Sequence, residues 1–424
     1  MRNTATVTNA SIDSAGLPKD YKNAIAEYIW NGFDAGASQI DLNFKANELG
    51  FLTVINIVDN GSGILHDTLS QSFGNFLDSQ KRKSLKRSSY MRGKKGKGRF
   101  SFSLFASKAT WLTVYKDGNQ LWEYKIVIDY DKKEEYEDLD KQVSNQKHTG
   151  TTVKLEGIFG LTADALSSVE FYDFLAQEFG WFLLLNKEAD YALTINGKAI
   201  QYEQLILENE SITWIIADHN DNSYRFKVDF IRWGERIGDK YYYYFLNPDK
   251  TEVSKQLTSF NNNAIDFHHS VFIESSFFDL LEKEALDESE EDNLFSHTGT
   301  FVIYKKLRAE LKDFLAKKEK KYLRELAADK HLLQTQEKQL LPLISEDFGD
   351  KVDQQDLLDV LRELYCVEPK IFNGLRPSQQ KTFLGMLQLL LRSDKRRAIQ
   401  SMIEQIVTLS EFEKQKLTAV LEKN

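Results

Sequence analysis

Three polar side chains, Glu27, Asn31 and Asp34, interrupt the apolar stretch AIAEYIWNGFDAG at offsets of four and three. On a helix, such offsets put them on one stripe. That stripe is either an ordinary wetted face or the lining of a polar pocket; a wetted face more usually carries Lys and Glu. Three further segments carry residue types suited to holding a ligand. VINIVDNGSGI runs a strand into Asp59, Gly61 and Gly63. A carboxylate at a strand end, followed by glycines, can offer an acceptor oxygen where backbone approaches closely, although Asp-Asn-Gly is also a common hairpin turn. RGKKGKGRFSF places Gly93, Gly96 and Gly98 before an expected helix, where backbone N–H groups can receive a phosphate; a flexible basic loop would read the same way. It lacks the Lys-Ser/Thr ending of a Walker loop. HTGTTVKL opens a strand with Gly150-Thr151 and offers a hydroxyl.

The elements that must position these groups follow from hydrophobic periodicity. A helix is expected at about 18–36, then strands QIDLNFKA and FLTVINIV, a turn at DNGSG and a short helix ending near Leu77. RFSFSLFASKA reads as a helix, and TWLTVYKD, LWEYKIVIDY and TTVKLEG as strands. A helix around 162–186 and the strand YALTINGK follow. Helices and strands mix without regular alternation, which predicts an α+β layer rather than a doubly wound sheet. Residues 205–300 are strand-rich (ITWIIADH, YRFKVDFIRW, KYYYYFLN, HHSVFIES), interrupted by the acidic EKEALDESEEDN, read as a solvated loop. A long charged helix is expected from Tyr304 to about Leu340, and helices beyond Pro342.

The length of 424 residues allows two or three domains. A single cysteine, Cys366, excludes an internal disulfide and a cysteine-rich zinc site. No apolar run is long enough for a bilayer span, and the first residues lack the apolar core of a secretion signal, so a cytoplasmic location without membrane attachment is expected. A net charge of −9 argues against a surface that coats nucleic acid generally, while leaving room for a local basic patch.

Taken together, the four segments resemble the GHKL ATPases: gyrase B, heat-shock ATPase chaperones, histidine kinases and the mismatch-repair ATPase. The family's E-x-x-x-N helix matches Glu27 to Asn31, continuing to Asp34-Ala35; its D-x-G-x-G matches Asp59 to Gly63; its glycine-rich lid end matches Gly93 to Gly98; its G-T matches Gly150-Thr151. The resemblance implies a Bergerat-type α/β sandwich over 1–200, a strand-rich transducer-like domain over 201–340 ending in a long helix, and a helical region over 341–424. It implies Mg²⁺-dependent ATP hydrolysis, with Glu27 as general base and Asn31 as Mg²⁺ ligand. Asp59 would accept the adenine amino hydrogen, Gly61 and Gly63 would let backbone approach the base, and Thr151 would support Asp59 or a water. Asp34 would assist, and Gly93, Gly96, Lys97, Gly98 and Arg99 would wrap the phosphates.

From Lys81 to Arg99 there are ten Lys/Arg and no acidic residue. Phosphate capture by a moving lid, a nucleic-acid patch and a solvated loop all fit; with Tyr90 as its one aromatic, stacking on single strands is poorly supported. LDSQKRK is similar to the S-x-K of some lids, which would bring Lys81 to a phosphate. Transducer domains of the family send a lysine to the γ-phosphate, for which Lys250, Lys255, Lys305 and Lys306 are candidates by position. His268 and His269, adjacent on a strand, face opposite ways and read as structural. Cys366 reads as buried.

The resemblance implies an ATP-operated homodimeric clamp acting on DNA, chromatin or client proteins. The wording is most similar to uncharacterised bacterial HSP90-like ATPases, some linked to phage defence, with an effector as a separate protein. A client-binding chaperone and a nucleotide-gated sensor subunit remain alternatives; Glu27 speaks against a sensor that never hydrolyses. A histidine kinase is not expected, because the 26 residues before Glu27 hold no histidine for a phosphoacceptor helix.

Overall fold

Strand pairing organises the chain into two sheets. The computed structural model describes residues 8–14, 17–73, 98–217, 222–250, 252–260, 265–280, 299–342, 351–372, 374–393, 395–405 and 407–422. They fall into two units: Met1–Ala217, Asp221–Leu257 and His269–Asn293 form the first, and Asp218–Asn220, Thr258–His268 and Leu294–Asn424 the second.

The first unit begins with helix α1 (Asn9–Ser14) and helix α2 (Tyr21–Asp34), followed by strands β1 (Gln39–Ala46) and β2 (Leu52–Asp59) and the short helix α3 (Leu69–Ser72). A 3-10 turn (Gly98–Leu104) leads into β3 (Ala106–Asp117), β4 (Gln120–Asp129), β5 (Glu137–Val143) and β6 (Gly150–Ile158). Helices α4 (Ala163–Ser167) and α5 (Val169–Leu185) precede β7 (Ala192–Ile195) and β8 (Lys198–Ala199). The eight strands pair in the order β5-β4-β3-β6-β2-β1-β7-β8, antiparallel except for β1 beside β7.

Helix α2 starts where the Asp20 carboxylate accepts the Asn23 N–H at 2.8 Å. Such a cap is worth about 1 kcal/mol. The helix also buries Ile25, Tyr28, Ile29, Trp30 and Phe33, at roughly 1.5–3 kcal/mol per large apolar side chain, so its apolar face holds it in place. Trp30 and Phe33 pack on Phe179 and Phe182 of α5, and these rings share one core with Ile40, Ile55 and Leu155 of the sheet.

The unit continues with β9 (Ile206–Ala217), β10 (Ser223–Trp233), β11 (Tyr242–Leu246), β12 (Glu252–Leu257) and β13 (His269–Glu274), which pair as β12-β11-β13-β10-β9. The eight-stranded sheet ends at Ala199 and the five-stranded one begins at Ile206, so the expected boundary at 200 lies between two sheets within one unit.

The second unit carries helices α6 (Gly299–Tyr322), α7 (Ala328–Glu337), α8 (Lys351–Val367), α9 (Pro377–Leu391), α10 (Ala398–Glu404) and α11 (Glu411–Leu421). A π-turn at Leu323–Ala327 joins α6 to α7. The Arg324 guanidinium donates to both oxygens of Glu363 at 3.1 and 2.8 Å, tying the π-turn to α8. Cys366 is buried beside this pair, and burial pushes its thiol up to about 11, so it stays protonated and unreactive at neutral pH.

The sequence reading needs three corrections. The helix expected over RFSFSLFASKA is a 3-10 turn that stops at Leu104, and Ala106 already pairs with Ile158 as β3. The helix expected over 162–186 is two helices broken at Ser168, whose extended backbone and hydroxyl cap the N–H of Phe171. The expected uninterrupted helix from Tyr304 begins by Gly299 and passes through the π-turn. The acidic run 282–293 lies outside the described residues.

Candidate functional site

Sheet register builds one side of the site. Ile55, Ile57 and Asp59 alternate onto one face of β2, and Asp59 stands opposite Thr151 of β6, which belongs with Val153 and Leu155. Thr151 in turn stands opposite Thr113 of β3, in phase with Ala109 and Trp111. The face that buries the core therefore turns polar at its rim, in a row Asp59, Thr151, Thr113.

Main-chain donors fix Asp59. Its Oδ1 accepts the Gly61 N–H at 2.9 Å and the Thr151 N–H at 3.2 Å. Burial pushes this carboxyl above its ordinary value, and the two N–H donors pull it back only in part. Among the described residues no hydrogen bond reaches Oδ2. The loop beyond is held by the same row: Thr113 Oγ1 accepts the Ile64 N–H at 2.9 Å and lies 3.1 Å from Thr151 Oγ1. Gly63, at φ 72°, is required here, because a Cβ would sit 2.1 Å from the carbonyl oxygen of Val114.

The other side is the α2 stripe. From Ala24 to Asp34, Glu27, Asn31 and Asp34 are the residues that are not buried. Gly32 brings this helix against Asp59, whose Cβ would be 3.1 Å from a Cβ added at the glycine. Gly98 lies over the stripe: a Cβ there would be 2.9 Å from Glu27 Oε2 and 3.4 Å from Asn31 Nδ2. Tyr28 pins the turn that follows, its hydroxyl donating to the Arg99 carbonyl at 3.0 Å and accepting the Phe102 N–H at 2.9 Å. Burial raises this phenol, which stays protonated.

Glu27, Asn31, Asp34, Asp59, Gly61, Gly63, Gly98 and Thr151 thus lie on the two elements and the turns between them. Arg99 is placed differently from a phosphate clamp. It is buried, its guanidinium lies 4.5 Å over the Phe100 ring and 5.6 Å from the Phe73 ring, and burial lowers its pKa to about 10. Lys81, Gly93, Gly96 and Lys97 lie outside the described residues, as does the basic run up to Lys97. A groove of about 550 Å³ opens beyond Gly63, lined by Ser62, Ile64, Leu65, Thr68, Lys116 and Thr149, and it meets the site only at Ser62 and Gly63.

Of the lysine candidates, Lys250 pairs with Glu188, and Lys255 with Asp239 at 3.0 Å. Lys305 and Lys306 are exposed on α6. His268 and His269 are both buried, His269 against the Tyr241 ring at 4.9 Å. Two contributors escaped the sequence reading. Thr113 follows Trp111 at strand period, a signal that its hydroxyl shares the core face, and Tyr28 is a buried polar ring beside Glu27.

Among the described residues no three His, Cys, Asp or Glu side chains cluster as a metal cage. Mg²⁺ needs none, since it usually takes one or two protein oxygens plus phosphates and waters. Asn31, with space above it that any side chain at position 98 would fill, fits that requirement.

Residues 20–156 match the family described as histidine kinase-, DNA gyrase B- and HSP90-like ATPase. Among solved structures, the Aquifex aeolicus MutL ATPase domain complexed with ADP is similar at 13% identity and TM-score 0.32, over 63% of this chain and 97% of that one. The N-terminal domain of a DNA repair protein is similar at 15% identity and TM-score 0.36, over 73% of this chain and 98% of that one. No curated protein sequence matches the chain. No helix among the described residues is long and apolar enough to cross a membrane. The match spans both Glu27–Asn31 and Asp59–Gly63, so residues 20–156 are similar to the GHKL ATPases over the segments that build the site.

Proposed function

We propose that this chain binds and hydrolyses Mg·ATP, with adenine on Asp59 and the triphosphate along the α2 stripe. The observation that carries this reading is the half-satisfied carboxylate of Asp59. Its Oδ1 is occupied by two backbone donors, and Oδ2, which no hydrogen bond reaches among the described residues, would accept the amino hydrogen of adenine. Guanine presents a carbonyl oxygen at that position, so two acceptors would face each other and ATP is preferred over GTP. Thr151 contributes through its N–H to Asp59, and Gly63 keeps backbone close to the base.

Asn31 would supply an oxygen to Mg²⁺, which offsets charge on the phosphates. Glu27 would take a proton from the water that attacks the γ-phosphorus, while the bond to the β-phosphate oxygen breaks and releases ADP. Gly98, resting on both side chains, ends the segment proposed to cover the phosphates, with Gly93, Gly96 and Lys97 upstream. The family likeness supports closure as a homodimer on ATP and reset by hydrolysis. The three-part division at 200 and 340 is kept as the working description of that machine.

Phosphate release from Mg·ATP, with light scattering on the full chain in a non-hydrolysable analogue, tests the reading. Turnover with a doubling of mass is expected. Binding without turnover would favour a nucleotide-gated switch, and no binding would overturn the reading.

A further inference from the structure

Trp30 stands on α2 between Glu27 and Asn31 in sequence, and its indole N–H donates to Glu178 Oε1 of α5 at 2.8 Å. Glu178 is also the floor on which Gly238 rests. A Cβ at 238 would lie 2.4 Å from Glu178 Oε2, 2.5 Å from its carbonyl oxygen and 2.7 Å from its Cα. The Gly238 N–H donates to the Gln177 carbonyl at 2.8 Å, so the loop is bonded to α5 as well as packed on it. The next residue, Asp239, is held from the other side: its carboxylate accepts the Tyr244 hydroxyl at 3.1 Å and pairs with Lys255 at 3.0 Å. Tyr244 stacks on Trp181 of α5 at 5.5 Å, and Trp181 lies 6.0 Å from Trp30. Two routes from α2, one polar and one aromatic, thus converge on the Gly238–Asp239 turn that joins β10 to β11.

We infer that Glu178 is a positioning residue that fastens the helix carrying Glu27 and Asn31 to the Gly238–Asp239 turn of the five-stranded sheet, so that nucleotide on α2 is felt at this turn. A contact network alone does not establish coupling; both ends must respond to one perturbation. The inference rests on the proposed nucleotide site for its second half only. Its first half, that Trp30 and the turn are mechanically joined, holds with or without nucleotide.

Hydrogen exchange over residues 234–241 tests both halves in wild type and Trp30→Phe. The phenylalanine keeps an aromatic ring in the core and removes the indole donor. In the nucleotide-free protein, loss of one hydrogen bond to a carboxylate is expected to speed exchange in this turn about tenfold. Exchange within β5, at the outer edge of the eight-stranded sheet, should stay unchanged. Unchanged exchange at 234–241, or an equal rise in β5, overturns the fastening. With a non-hydrolysable ATP analogue and Mg²⁺, at saturation checked by calorimetry, wild type should slow at 234–241 and Trp30→Phe should not. Equal slowing in both overturns the role of Glu178 in relaying occupancy. Failure of wild type to bind the analogue overturns the nucleotide reading instead, and the nucleotide-free comparison still decides the fastening. Glu178→Gln, which keeps an acceptor oxygen, should exchange as wild type does; a tenfold rise there would contradict the hydrogen-bond route.

Discussion

Two carboxylates of the site, Asp59 and Glu27, are held in opposite ways. Asp59 sits at the rim of a central strand, its Oδ1 bound by two backbone N–H groups and its neighbours fixed by ladder register. Glu27 stands on a helix stripe with Gly98, the first residue of the 3-10 turn, resting on its oxygen. A group held by main-chain donors of β6 and of the turn after β2 is preorganised and suits recognition of an invariant base. A side chain on a helix stripe, under a single glycine rather than within a strand ladder, suits a step that must be switched. The difference separates affinity from turnover, and substitutions should separate them too.

The largest effect is expected at Gly63. Gly63→Ala puts a Cβ within 2.1 Å of the Val114 oxygen at a positive φ, so backbone must move. Urea unfolding should show a loss of about 3 kcal/mol or more, together with loss of nucleotide binding. An unchanged midpoint would mean that the rim is less rigid than Asp59 requires. Next comes Glu27→Ala, for which phosphate release should fall by about 10²–10⁴-fold while calorimetric affinity stays within about threefold. The variant should accumulate as the closed dimer in ATP, because the resetting step is missing. Parental turnover would remove Glu27 as the base.

Asn31→Ala should behave unlike its neighbour on the same stripe. It should weaken ATP about tenfold with Mg²⁺ present and hardly at all in a chelator, since only the metal-bridged contact is lost. Equal weakening in both conditions would make Asn31 a direct phosphate contact. The smallest effect concerns the stability of the rim itself. Burial raises the Asp59 pKa above its unfolded value, so the folded state holds this proton more tightly than the unfolded chain does. The ionised form is therefore a net stability loss at neutral pH, and that loss fades as pH falls through the folded pKa toward the unfolded value of about 3.9. Asn accepts the same two N–H groups without charge, so Asp59→Asn should melt higher than wild type near neutrality. The gap should close as pH falls through that window. A gap independent of pH would mean that something other than the charge is responsible.

Much of this site is written locally. Glu27, Asn31 and Asp34 declare themselves because a helix period leaves them together on an otherwise apolar stretch. Asp59 continues the alternation of Ile55 and Ile57 onto the core face. What is not local is not legible. FASKA carries helix-forming residues, yet Ala106 and Ala109 pair with Ile158 and Leu155, nearly fifty residues away, and that pairing overrides propensity. Strand β5, EDLDKQV, has no apolar face to announce it; it is exposed at both faces and exists through its pairing with β4. Tyr28 and Thr113 look like core filling until their hydroxyl partners on other elements are known.

The most direct test of the account is calorimetry of ATP and GTP binding to wild type and Asp59→Asn. The account predicts that wild type prefers ATP, and that the variant loses about 1–3 kcal/mol of ATP affinity, or roughly 5–150-fold, because an amide nitrogen can donate where an acceptor is needed. The preference over GTP should shrink with it. Unchanged ATP affinity in a variant that folds would contradict the placement of adenine on Asp59, and with it the separation of the two carboxylates into recognition and turnover.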